Sequence, residues 1–355
     1  MSKDGKKFSF SSNFDTPSGL AKFETAAEVA LLRADDKPCI YEYKSKNSND
    51  QIVVTGCENE IREMQIQHKN SAPFYGKIHP DGKVDEIELP PRADKVLYPD
   101  DYEKDKNTDK TKSFRELSDA AQNAQLPPCM DLELYLYYGP SFERTADSNT
   151  NAETKARRIA SHAKNHYLSP EFPTKINVIT TVQRLEKDAD SIQSFGPLVP
   201  KRNHKKGRLH ALLIGEGLSG SITGMAWVDT ACWPTSRQTG TSGPYSITKV
   251  VGSDMNTAET LAHEMAHNLG IEHDFQTARR GSTCGPGQWV KGGALMNYGR
   301  PFERTWSKCS SGDFIRYFQS NQPFCLKTSE LFFKFCCIAF FTLLRFEWRG
   351  LFFNS

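Results

Sequence analysis

Residues 263–274 read His-Glu-Met-Ala-His-Asn-Leu-Gly-Ile-Glu-His-Asp, and few stretches of twelve residues restrict a fold as much. Side chains four apart share one helix face, so His263 and His267 can offer two imidazole nitrogens to a single cation. Glu264 falls one position on, which keeps its carboxylate beside that cation rather than on it, where it can act as a general base. Gly270 then ends the helix, because the left-handed residue past a helix C-terminus is least strained as glycine. The reversal returns His273 towards the first two histidines as a third ligand. Three protein ligands leave a fourth position open, the mark of a catalytic rather than a structural zinc site. An amphipathic helix with exposed histidines is the plainer reading. With nine His and 24 Gly in 355 residues, however, the full spacing arises by chance in about one such chain in a million.

The flanking residues predict the setting. Asn256 and Glu259 read as a capping pair, and Ala258, Ala262, Met265 and Leu269 recur at helical spacing as a core stripe. Upstream, residues 130–138 alternate Leu132, Leu134 and Leu136 with Glu133, Tyr135 and Tyr137, a half-buried strand. Residues 152–167 carry Ala156, Ile159, Ala160 and Ala163 along one helical side, and 175–185 and 209–214 read as further strands.

At this point the residues match a family. His263-Glu264-x-x-His267-x-x-Gly270-x-x-His273 resembles the metzincin zinc peptidases, and Asp274 resembles the residue that follows the third histidine in their reprolysin (adamalysin, ADAM-like) branch. Met296, within Ala-Leu-Met-Asn-Tyr at 294–298, is similar to the family's Met-turn, an apolar floor under the zinc ligands. Residues 215–220, then Gly224 to Val228 and Cys232, are similar to the stretch leading into the cleft's edge strand, where an extended peptide would pair antiparallel. Trp306, Ser307 and the residues to Phe314 resemble the start of the last helix.

The resemblance spans 129–327 and implies an α/β (α+β metzincin) fold. It implies a mixed, mainly parallel twisted sheet with an antiparallel edge strand, packed helices, the zinc helix and a small irregular lower lobe. It also implies a zinc endopeptidase acting on peptide or protein substrates, with Zn2+ on His263, His267 and His273, Glu264 as base and Asp274 orienting the metal-binding loop. Two departures stand out. The Met-turn lacks a cysteine before Met296, and Tyr298 two residues on is more reminiscent of the astacin and serralysin branches. Tyr298 is therefore either an oxyanion donor or a packing residue.

A chain of 355 residues with 37% hydrophobic and 25% charged residues has room for two domains, and its net charge of +2 argues against a dedicated nucleic-acid binder. The basic cluster at 201–208 reads as a solvated loop or a site for acidic glycans. The charged, apolar-poor stretch 99–128 reads as a linker between residues 1–98 and the catalytic region. Residues 74–80 and 94–98 resemble the back half of a reprolysin propeptide, which would make the chain a zymogen. A small accessory domain is the other reading. A zymogen must close its open metal position, and Cys129, after Pro127 and Pro128, is the candidate cysteine switch by position. A disulfide or a buried thiol are its alternatives.

Nine cysteines without a redox motif suggest disulfides and an oxidising compartment, hence secretion. Residues 1–14 contain no apolar run able to serve as a signal peptide, so the start reads as incomplete. By resemblance Cys232 pairs with Cys325, Cys39 with Cys57 and Cys284 with Cys309. The tail 328–355 has an apolar run at 335–344, short of the roughly 20 residues a membrane helix needs. It reads as an interfacial anchor, a docking segment or read-through of non-coding sequence. A secreted binding protein or toxin that keeps the fold without turnover is the competing function.

Overall fold

The structure is a computed structural model that describes residues 29–35, 39–45, 51–56, 60–67, 73–81, 83–87, 94–97, 126–146, 150–169, 171–218, 221–238, 240–274, 295–297, 305–322 and 324–328. Six strands, β1 (Val29–Asp35), β2 (Ile40–Ser45), β3 (Gln51–Thr55), β4 (Arg62–Gln67), β5 (Phe74–Ile78) and β6 (Val84–Glu86), pair antiparallel with their chain neighbours into one sheet. Alternation drives it: Ile52, Val54, Met64, Ile66, Phe74 and Ile78 gather on one buried face.

The second sheet contains β7 (Asp94–Leu97), β8 (Cys129–Tyr138), β9 (Lys175–Arg184), β10 (Arg208–Ile214), β11 (Gly224–Trp227), β12 (Tyr245–Lys249) and β13 (Lys327–Thr328). β8, β9, β10 and β12 form its parallel core, and β11 pairs antiparallel with β12. The mixed, mainly parallel architecture expected from the sequence is the one observed. Among the described residues the three longest helices are α1 (Ala152–Tyr167), α2 (Asp254–Asn268) and α3 (Lys308–Ser320).

Leu132, Leu134 and Leu136 of β8 are buried against Ala156, Ile159 and Ala163 of α1 and Ala258, Ala262 and Met265 of α2 in one core. Burying each leucine contributes about 1.5–3 kcal/mol of apolar transfer, so this layer rather than helix propensity sets where α2 lies.

The start of α2 differs from the expected capping pair. Ser253 is the cap, its hydroxyl accepting from the Asn256 N–H at 3.2 Å. Asn256 already lies inside the helix and its amide donates to the Val251 carbonyl at 2.7 Å, while Glu259 accepts from the Tyr75 hydroxyl at 2.6 Å. The physical reason is Gly252, whose φ of +65° turns the chain so that the next residue, Ser253, meets the first free N–H groups.

Cys232 and Cys325 form a disulfide across 93 residues. Cys39 and Cys309 are also disulfide-bonded, and their expected partners Cys57 and Cys284 lie outside the described residues. So do 99–125, most of the expected linker, and the tail from 329. Among the described residues no helix is long and apolar enough to cross a membrane.

The two sheets meet across α1 and the first half of α2. Glu42 accepts from Ser161 at 3.1 Å and from Lys164 at 3.2 Å, the Thr55 hydroxyl meets His162 at 2.9 Å, and the Gln65 amide meets His166 at 3.1 Å. The Glu63 carboxylate accepts from the Met255 N–H at 3.2 Å. Burial first, then the neighbouring Asp254, push the Glu63 pKa up to about 7, against the Met255 N–H, Lys77 and Arg158, which lower it.

A carboxyl raised above its unfolded value takes up a proton on folding, so the stability it carries is present at low pH and falls as pH rises through about 7. Buried His162, held down to about 3, works the other way and loses stability as pH falls below its ordinary range. We therefore expect Glu63→Gln to gain about 1–3 kcal/mol over the parent on going from about pH 5 to about pH 8. Urea denaturation at the two pH values measures this, and identical pH dependence in both proteins rules it out.

Candidate metal centre

Helix α2 sets the first two imidazoles one turn apart, and both point to the same place. The His263 and His267 Nε2 atoms are 3.0 Å apart, and the His273 Nε2 lies 3.1 Å from the first and 3.2 Å from the second. Gly270, at φ +78°, makes the reversal that returns His273. A Cβ at that glycine would sit 2.7–2.8 Å from the Tyr317 ring, so both its conformation and its space require glycine.

The chain orients the rings through their other nitrogens. His263 Nδ1 donates to the Leu295 carbonyl at 2.8 Å and His267 Nδ1 to the Ile271 carbonyl at 2.7 Å. A carbonyl only accepts, so both rings keep a proton on Nδ1 and their Nε2 lone pairs face inwards. Burial also holds His267 below the usual histidine pKa, in the neutral form.

The fourth corner is Asp94, on β7. Its Oδ2 lies 2.9 Å from His263 Nε2, 3.1 Å from His267 Nε2 and 3.0 Å from His273 Nε2, and its side chain is fully buried. The Nε2 atoms of His263 and His267 and the Asp94 Oδ2 are acceptors facing one another at such distances, and they repel unless a proton or a cation lies among them. The six separations of 2.9–3.2 Å among these three atoms and His273 Nε2 describe a nearly regular tetrahedron. The centre of such a tetrahedron is about 1.9 Å from each corner, close to the roughly 2.0–2.2 Å of zinc–nitrogen and zinc–oxygen bonds. The donor set therefore fits zinc. Among the described residues this is the one group of His, Cys, Asp and Glu side chains gathered in that way.

Glu264 is buried and lies over β11, for a Cβ on Gly224 would come within 2.1 Å of its Oε1. Met296 is fully buried, and its carbonyl accepts from the Asp274 N–H at 3.1 Å. Asp274 accepts from the Ser307 hydroxyl at 2.6 Å and the Ser310 hydroxyl at 3.3 Å, which ties the chain after His273 to the start of α3. Burial pushes the Asp274 pKa up to about 6, and those two hydroxyls partly offset it. Tyr298 lies outside the described residues.

The structure does not bring Cys129 to the imidazoles. It is buried at the first position of β8, in register with Lys175, and the group at the fourth corner is a carboxylate. The sheet pairing that begins at Cys129 holds its backbone at the start of β8. The sequence signal for Asp94 was weak: one acid in 94–98, a stretch singled out only as resembling part of a propeptide. Its partner is set by β7 pairing parallel with β11, Asp94 opposite Gly224, which only the tertiary structure reveals.

Comparison with known proteins is consistent with this geometry. Residues 174–329 match the family described as "Reprolysin (M12B) family zinc metalloprotease". The chain is 33% identical over 131 residues to the mouse (Mus musculus) disintegrin and metalloproteinase domain-containing protein 12, covering 36% of this chain and 13% of that protein. It is 39% identical over 74 residues to the mouse protein named a disintegrin and metalloproteinase with thrombospondin motifs 19, covering 20% of this chain and 6% of that protein. The human (Homo sapiens) protein of the same name matches over the same extent. The chain thus spans a small part of the length of these relatives.

Proposed function

This chain carries a metzincin metalloprotease domain of the reprolysin type, and on that premise we propose that it is a zinc-dependent endopeptidase, made as a zymogen, that hydrolyses peptide bonds in extracellular proteins. The observation that carries the reading is the convergence of three imidazole Nε2 atoms within 3.2 Å, two of them pinned through Nδ1, with a buried carboxylate on the neighbouring residue. The Cys232–Cys325 disulfide supports an oxidising, extracellular setting.

His263, His267 and His273 hold the metal in this reading. When bound, zinc supplies Lewis acidity towards a scissile carbonyl and a hydrolytic water. Glu264 takes a proton from that water and later delivers it to the departing amine nitrogen. The Leu295 and Ile271 carbonyls keep two of the rings in the tautomer that leaves Nε2 bare. β11 offers main-chain groups to an extended peptide. Asp274 orients the chain behind His273, and Met296 supports the centre from below.

Elemental analysis of the folded, oxidised full chain tests the proposal: it should contain one zinc per chain, and after limited proteolysis within 99–128 has removed the N-terminal region, a chelator should abolish cleavage of a generic peptide. Absence of a stoichiometric transition metal overturns it. Gly224→Ala probes the base separately. The added methyl, 2.1 Å from Glu264 Oε1, displaces that carboxylate. The variant should keep its metal while losing about 10–100-fold in kcat, measured on both proteins after cleavage within 99–128. An unchanged kcat would free Glu264 from the assigned place.

A further inference from the structure

The geometry points to Asp94 as a built-in plug: the N-terminal region closes its own metal centre by supplying a carboxylate oxygen as the fourth donor. This rests on the zinc peptidase reading above and adds the group that keeps the enzyme latent. The Asp94 side chain is fully buried, and its Oδ2 reaches all three Nε2 atoms at 2.9–3.1 Å. It therefore stands where a substrate oxygen or a hydrolytic water must come.

The backbone around it explains how the plug is placed. β7 pairs parallel with β11, Asp94 opposite Gly224 through to Leu97 opposite Trp227, and the Leu97 carbonyl accepts from the Val228 N–H at 2.9 Å. β7 thus occupies the strand edge that an extended substrate would need. It presents a side-chain oxygen to the centre, so Asp94 blocks the site without setting one of its own peptide bonds there for attack.

Four paired residues are a weak hold by themselves. The six-stranded sheet reinforces them, because Glu42, Thr55, Glu63, Gln65 and Tyr75 anchor it to α1 and α2. Tyr75 reaches Glu259, one turn before His263 on the same helix. The sheet and β7 belong to one chain, so the carboxylate is delivered at high effective concentration. Cutting the connection to the catalytic region makes the same contact intermolecular, and dilution then releases it. A carboxylate plug also makes latency indifferent to thiol reagents, unlike a cysteine switch.

The test uses the full chain loaded with Co2+ in place of zinc, as the parent, Asp94→Ala and Asp94→Asn. Acetohydroxamate is titrated in and followed by the visible cobalt spectrum, which reports the metal's ligands without turnover. We expect the parent to need on the order of 100-fold more hydroxamate than Asp94→Ala. The two free spectra should also differ, and alkylation of thiols should change neither curve. Intact Asp94→Ala should cleave a peptide that the intact parent spares. Asp94→Asn preserves size and strand pairing, so it carries the test if Asp94→Ala does not fold. Coincident titrations in the folded, loaded parent and variant overturn the plug while leaving the peptidase reading intact. Failure of every form to take up cobalt overturns the peptidase reading itself, and the plug with it.

Discussion

Glu264→Ala, once the N-terminal region has been removed by limited proteolysis within 99–128, should retain one zinc per chain and lose peptide hydrolysis by about 10²–10⁴-fold in kcat. The reasoning is local. The carboxylate is buried over β11, on the residue next to His263, and is not one of the gathered donors. Truncation therefore leaves the three nitrogens and their carbonyl partners where they are, and removes the one group placed to accept a proton. KM should move little, because the main-chain groups of β11 that bind peptide are untouched. Metal content by elemental analysis beside steady-state kinetics separates the cases. Turnover at the parent's rate would assign the base elsewhere, and loss of metal would make Glu264 a ligand instead.

His267→Ala should lose metal and activity together. It removes one of three imidazoles and also the Nδ1 contact to Ile271 that holds the turn at Gly270. Loss of a group that only orients a ligand weakens metal binding about 10–100-fold. Loss of a ligand itself should exceed that range, so the purified variant should contain no stoichiometric zinc. Competition with a chelating dye gives the affinity. A variant that binds metal as tightly as the parent would dismiss the proposed centre. The two variants together are informative: the same kinetic defect is expected in both, with metal retained in one and lost in the other.

Much of the site could be read from 263–274 because its geometry is local. Helical spacing brings residues four apart together whatever the rest of the chain does, and a glycine at positive φ reverses it. The Leu132, Leu134, Leu136 alternation likewise announced a strand with one buried face. The carbonyls of Leu295 and Ile271 had no such signal, since any residue carries a carbonyl. Gly224 was visible as part of a strand, but its reason, room for Glu264, is a contact across 40 positions. Cys129 shows the limit most clearly. Position made it one candidate for the fourth donor beside a disulfide or buried-thiol reading; the sheet buries it at the start of β8, while an acid 35 positions earlier meets the imidazoles.

What the amino-acid order alone determined, then, is the set of three imidazoles, the acid beside them and the individual strands and helices that carry them, while the mainly parallel pairing was implied by the family resemblance. The imidazoles, the acid and those elements depend on periodicities of a few residues. Which group closes the fourth corner was decided only by the tertiary structure. It depends on how one short strand finds an edge and how a second sheet grips two helices, and such long-range pairings leave no local period in the sequence.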